Sequence, residues 1–253
     1  MKIRKPQLLV KRLALGCTTL LALTGALSLA EDRAEKPVQP GNSDSIVFGM
    51  GCFWGAEKRM SALPGVIDVE SGYANGEIAA SYEEILAQES RLRLGLSDKR
   101  NHAEVVKVTF DPRKTDLESV MIGFWENHDP TQGDRQGNDV GSNYRSAIYT
   151  NSPQQEAIAR ETRDRYQAAL SKGGYSGITT EIAPLDNYTA AENYHQDYLV
   201  KNPKGYCGLG GTGVKFPGTQ SSSTKESTMP AKLDIRDLNP ERQLIVFESE
   251  ACG

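Results

Sequence analysis

Histidine and cysteine are both scarce, with three of one and four of the other in 253 residues. No C-x-x-C and no close histidine pair occurs, so the ligand spacing that zinc requires is missing. The three histidines, His102, His128 and His195, each lie outside any recognisable nucleophile-base-acid triad, which weakens a cysteine-hydrolase reading. No basic stripe is present, and acidic side chains outnumber basic ones, 33 to 29. That balance argues against a nucleic-acid-binding role. No internal repeat is visible.

Charge is missing from one stretch in particular. Leu13 to Ala30 carries none, it follows a head containing Lys2, Arg4, Lys5, Lys11 and Arg12, and it ends Ser28-Leu29-Ala30 before Glu31-Asp32. This is the pattern of a secretory signal peptide over residues 1–30, and it predicts an exported, periplasmic protein. An uncleaved membrane anchor is the alternative, since about 18 apolar residues just span a bilayer. Cleavage would leave 24 Lys+Arg against 33 Asp+Glu, a net charge of −9, and three cysteines: Cys52, Cys207 and Cys252. An odd, low count does not make a disulfide framework, and thiols that cycle account for it better.

The remaining chain divides into a polar linker (31–44), a domain over 45–216 and a Ser/Thr-rich flexible tail (217–253) with one strand-like run, Leu244–Phe247. Within the domain, strands are expected at 45–49, 66–73, 103–110, 144–150 and 178–183. Helices are expected from Cys52 to Leu63, from Tyr82 to Gln88, after a capping box at Thr115–Glu118, and from Ser152-Pro153 to Gly173-Gly174. A further helix is expected to open at Thr189 with Glu192. Residues 89–101 and 129–143 read as polar loops. Five glycines between Gly205 and Gly213 argue against a stiff element there. The mixed order of strands and helices predicts an α+β domain.

Cys52 is the residue around which these elements are arranged. Glycines flank it on both sides in Gly51-Cys52-Phe53-Trp54-Gly55, and it stands where a strand passes into a helix. Free amides and the dipole at a helix start favour a thiolate. Phe53 and Trp54 suit either the core or the wall of an apolar pocket. Cys207, in the Gly-rich stretch, has the mobility a resolving thiol needs. Cys252, near the terminus, is a second relay thiol or an idle one. Three readings stay open on the residues alone: a dithiol reductase, a cysteine hydrolase, and a metal-binding or interaction module.

Several motifs, taken in order, resemble one family. Gly51-Cys52-Phe53-Trp54-Gly55-Ala56-Glu57, His102-Ala103-Glu104, Phe124-Trp125-Glu126-Asn127-His128-Asp129-Pro130, Gln136-Gly137-Asn138-Asp139, Tyr144-Arg145-Ser146-Ala147-Ile148-Tyr149 and Asn202-Pro203-Lys204-Gly205-Tyr206-Cys207-Gly208 are similar to those of the A-type peptide methionine sulfoxide reductases. The resemblance implies a two-layer α+β fold, a mixed sheet related to ferredoxin-like folds with packed helices and a Gly-rich C-terminal segment. It implies reduction of the S-epimer of methionine sulfoxide, free or in oxidised proteins and peptides, without a metal or prosthetic cofactor. In that scheme Cys52 attacks the sulfoxide sulfur while Phe53 and Trp54 hold the methyl group. Glu104 is the acid, Tyr144 and Tyr82 bind the sulfoxide oxygen, Asp139 orders Tyr144 or a water, and Tyr206 borders the pocket. Cys207 then closes a disulfide that an external thioredoxin-like dithiol reductant opens. A monomer is expected.

Three departures accompany the resemblance. The charged segment Ser90–Lys99 is longer than the family usually carries. Lys215 stands where many relatives have a second recycling cysteine, a role that Cys252 is placed to take over. Export would separate the protein from cytosolic thioredoxin and require a periplasmic reductant.

Overall fold

A computed structural model describes residues 43–206 and 208–218. The expected signal segment, nearly all of the linker, Cys207, Cys252 and the tail beyond Gly218 lie outside the described residues. Ile46, Val47 and Phe48 are fully buried, as expected of a strand covered on both faces. They belong to β1 (Asp44–Met50), which pairs antiparallel with β3 (Ala103–Phe110) on one side and β6 (Ser146–Thr150) on the other. β2 (Val66–Ala74) and β8 (Tyr188–Ala190) extend the sheet beyond β3. β7 (Glu181–Pro184) pairs parallel with β6. The strand order is β7-β6-β1-β3-β2-β8, a mixed sheet.

Alternation along the strands separates two packing surfaces. Ile46, Phe48, Met50, Val106, Val108 and Phe110 face α1 (Phe53–Ser61), α3 (Leu117–Asn127) and α4 (Pro153–Lys172), and Phe48 stacks on Phe124 at 4.8 Å. Val47, Val105, Ala147 and Tyr149 form a smaller cluster on the opposite face. The result is the expected α+β architecture. The Ser152 hydroxyl caps α4 by accepting the Gln155 N–H, as the Ser-Pro-x-Gln sequence indicates.

Several local expectations give way to tertiary contacts. Asp116, not Thr115, caps α3, by accepting the Ser119 N–H at 2.7 Å. α2 (Tyr82–Arg93) continues into the segment expected to be loop, and buried Gln88 folds the rest back by donating to Ser97 Oγ and the Lys99 carbonyl. The 129–143 stretch contains a small hairpin, β4 (Arg135–Gln136) with β5 (Asp139–Val140). There Gln136 both accepts the Asp129 N–H and donates to its carbonyl. Tyr144 lies in a 3-10 turn (Ser142–Tyr144) ahead of β6, not on the strand. Ile178 and Thr179 precede β7; their amides go to Gln167 and Pro130.

The helix expected at Thr189 is replaced by sheet-edge bonding. Thr189 belongs to β8, the Ala191 N–H donates to the Ser71 carbonyl, and Gln196 bonds both backbone groups of Ser71. Among the described residues after β8, only α5 (Tyr198–Lys201) is helical. The end of the Gly-rich segment and the residues after it, Thr212 to Phe216, are held by side chains. Tyr166 O–H donates to the Val214 carbonyl, Tyr175 O–H to the Thr212 carbonyl, and Glu126 accepts from the Phe216 N–H and from Lys215. A Cβ on Gly211 would stand 2.2 Å from the Glu126 carbonyl oxygen. Glycine is there for close approach, not for freedom.

Candidate active site

Gly51 sets the turn from β1 into α1. Its φ is +91°, and a Cβ would meet the Gln136 side chain at 2.5 Å, so both the backbone and the neighbour require glycine. Cys52 follows as the residue preceding the first helical position and is 9 % exposed. Its sulfur makes no side-chain cap hydrogen bond. Burial pushes the thiol well above its ordinary range, the nearby Glu104 adds to the rise, and the Trp54 and Gly55 amides oppose it. The helix-start effect expected from the sequence therefore exists but is outweighed, and the resting thiol is protonated.

One reason is that the first amide of α1 is already engaged. The Phe53 N–H donates to Glu104 Oε2 at 3.3 Å. Glu104 sits on β3 with the same facing as Val106 and Val108, opposite Tyr73 on β2, and is 2 % exposed. Asn143 Nδ2 donates to its other oxygen at 3.4 Å. Burial outweighs these two bonds and pushes the carboxyl up to about 8, with Asp139 contributing to the rise. Glu104 is thus a neutral acid at pH 7.

Tyr144 and Tyr82 join the same electrostatic group. Both phenols are raised, first by burial and then by Glu104, and both sense Cys52. Asp139 is raised by burial, and its hydrogen bond goes to Tyr206 rather than to Tyr144. Tyr206 is 45 % exposed, at the rim. Phe53 is nearly fully buried and packs on Tyr73 at 5.7 Å, while Trp54 is half-buried and stacks on Tyr198 at 3.8 Å. Two further residues, Asn143 and His195, complete the surroundings. Sequence reasoning passed over both: Asn143 stood at the end of a polar loop, and His195 in an expected helix. Among the described residues no group of three or more His, Cys, Asp or Glu side chains converges as a metal site.

The family profile described as peptide methionine sulfoxide reductase matches residues 44–215. The chain belongs to that family. A relative from Azotobacter vinelandii, named peptide methionine sulfoxide reductase MsrA, is 51 % identical over 72 % of this chain and 80 % of its own length. A Vibrio vulnificus relative of the same name is 53 % identical over 68 % of this chain and 78 % of its own. Among solved structures, methionine sulfoxide reductase A of Corynebacterium diphtheriae is similar, with a TM-score of 0.59 and 39 % identity over 74 % of this chain and 83 % of that one. Membership of the family makes the chain an oxidoreductase.

Proposed function

We propose that the protein reduces the S-epimer of methionine sulfoxide, free and within peptides, by a thiol mechanism centred on Cys52. The observation that carries this reading is the pairing of a buried thiol with a carboxylic acid that is protonated near neutral pH. Cys52 Sγ attacks the sulfoxide sulfur as its own proton departs. The sulfoxide oxygen takes the Glu104 proton, with Tyr82 and Tyr144 hydrogen-bonded to it. Oxygen then passes to Cys52, methionine leaves, and Cys52 is a sulfenic acid; the thiol proton restores Glu104. Two electrons have moved from the cysteine sulfur to the sulfoxide.

The Cys207 thiol then attacks Cys52 Sγ, forming a disulfide and releasing water. An external thioredoxin-like dithiol reopens it, itself becoming a disulfide. Phe53, Trp54 and Tyr206 hold the substrate, and Asp139 acts through Tyr206. The basic head and uncharged run before Ala30 support export and a role in repairing oxidised exported proteins. Lys215 stands at the position of a second recycling thiol and pairs at the surface with Glu126 at 2.9 Å. Cys252 is the residue left for that relay. Peptide mapping after one equivalent of methionine sulfoxide tests the scheme. A Cys52–Cys207 disulfide is expected, a later Cys207–Cys252 disulfide would establish the relay, and full activity of Cys52→Ser with a chemical reductant would end the proposal.

A further inference from the structure

His195 lies between β8 and α5 and is 2 % exposed. Its Nδ1 accepts the Trp54 Nε1–H at 3.1 Å. Indole nitrogen only donates, so Nδ1 is bare and the ring carries its proton on Nε2. Nε2 is buried without a hydrogen-bond partner. The Glu192 carboxylate stands 3.9 Å from it, beyond hydrogen-bond reach, and is already taken by the Tyr73 hydroxyl and the Tyr82 N–H. Aromatic rings surround the imidazole: Tyr194 at 4.3 Å, Tyr82 at 4.7 Å and Phe53 at 4.9 Å between centroids. Burial lowers the tendency of the ring to take a second proton, with Glu192 opposing.

A buried polar ring with one nitrogen unsatisfied is costly, and its one satisfied ring nitrogen is aimed at Trp54. The indole is then fixed at its edge by His195 and across its face by Tyr198, 3.8 Å away and nearly parallel. We infer that His195 is a positioning residue for the reduction: as an uncharged acceptor at Nδ1 it orients the Trp54 indole toward the substrate methyl group. The inference rests on Trp54 touching the substrate. An uncharged ring matters because the sulfur of the bound sulfoxide already carries partial positive charge before any proton moves. An indole whose N–H is drawn to an acceptor offers that charge a more electron-rich face. An imidazolium would lose the acceptor and place a like charge nearby.

Steady-state kinetics on free methionine sulfoxide test this with His195→Asn, His195→Phe, Trp54→Phe and the double variant His195→Phe/Trp54→Phe. Asparagine can return an acceptor near Nδ1, whereas phenylalanine fills the space without one. His195→Phe should raise KM about fivefold to tenfold, the size of one lost hydrogen bond, with kcat within about twofold, and His195→Asn should stay within about twofold in both. In the Trp54→Phe background, which has no indole N–H, His195→Phe should add nothing. Equal losses in the Asn and Phe variants, or additive losses in the double variant, would overturn the assignment. A Trp54→Phe KM equal to that of the unmodified protein would instead overturn the placement of Trp54 at the substrate. Nitrogen-15 spectra of the unmodified full chain decide without mutation. The proton should be on His195 Nε2, and an Nδ1–H tautomer would refute the role.

Discussion

The Phe53 amide and the Glu104 carboxyl, 51 residues apart in sequence, meet at 3.3 Å and tie the start of α1 to the start of β3. This contact puts the acid beside the residue that precedes Phe53, and that residue is Cys52. Both groups are buried, and the Glu104 charge disfavours ionisation of Cys52. The pair therefore rests as thiol and acid, uncharged on both sides, with the proton the reaction needs already on the carboxyl.

Replacing Glu104 by glutamine keeps the shape and removes that proton. The first turnover should slow about 10²- to 10⁴-fold, the range for loss of a general acid. Rapid-quench measurement of methionine released by Glu104→Gln checks it, and an unchanged rate would assign the proton to another group.

The same acid predicts how the rate depends on pH. Glu104 is protonated below about 8 and loses its proton above it. Single-turnover rates should be level from pH 6 to 7 and fall through pH 8 to 9. Were formation of the Cys52 thiolate limiting, the rate would climb across that window instead.

Stability should follow the opposite partner of this linkage. The folded carboxyl binds its proton up to about 8, against an ordinary value of 4.5. Its contribution to stability is complete below about 4.5 and is lost as pH rises through 8. Glu104→Gln carries no such group, so its melting temperature should match the parent at pH 5 and exceed it at pH 9. Equal melting temperatures at both pH values would show that the carboxyl is not strongly shifted.

Cys207→Ser should release about one methionine per enzyme and then stop with thioredoxin as reductant, because the sulfenic acid has no internal thiol to resolve it. Counting product against enzyme in a burst experiment is sufficient. Sustained turnover would move the resolving role to another cysteine.

Gly211→Ala tests the packed Gly-rich segment. The added methyl would sit 2.2 Å from the Glu126 carbonyl, a clash that costs about 1–3 kcal/mol in a well-packed site. Disulfide formation should slow while methionine release in the first turnover stays unchanged. Equal slowing of both steps would mean that this segment also shapes the substrate site.

Much of this protein is local and was legible in the sequence. β3 matches its alternation from Ala103 to Phe110, and the Ser152 cap opens α4 as its sequence indicates. Gly51-Cys52 marks a strand-to-helix turn because only glycine tolerates that backbone beside Gln136. The facing of Glu104 on β3 follows from short-range pattern, since side-chain periodicity depends on near neighbours.

What only the tertiary structure decided depends on distant chain segments. Thr189 and Glu192 have the spacing of a helix cap, yet Thr189 pairs with Tyr73 on the edge of β2 and Ala191, the residue after β8, donates its N–H to the Ser71 carbonyl. Glycine removes local constraint, but at the end of the Gly-rich run the Glu126 carboxylate and two tyrosine hydroxyls hold Thr212 to Phe216. The charge state of Cys52 went the same way. A helix start by itself favours a thiolate, and local sequence shows only that effect. Burial beneath the sheet and an acid from β3 reverse it, and neither is visible until the chain has folded.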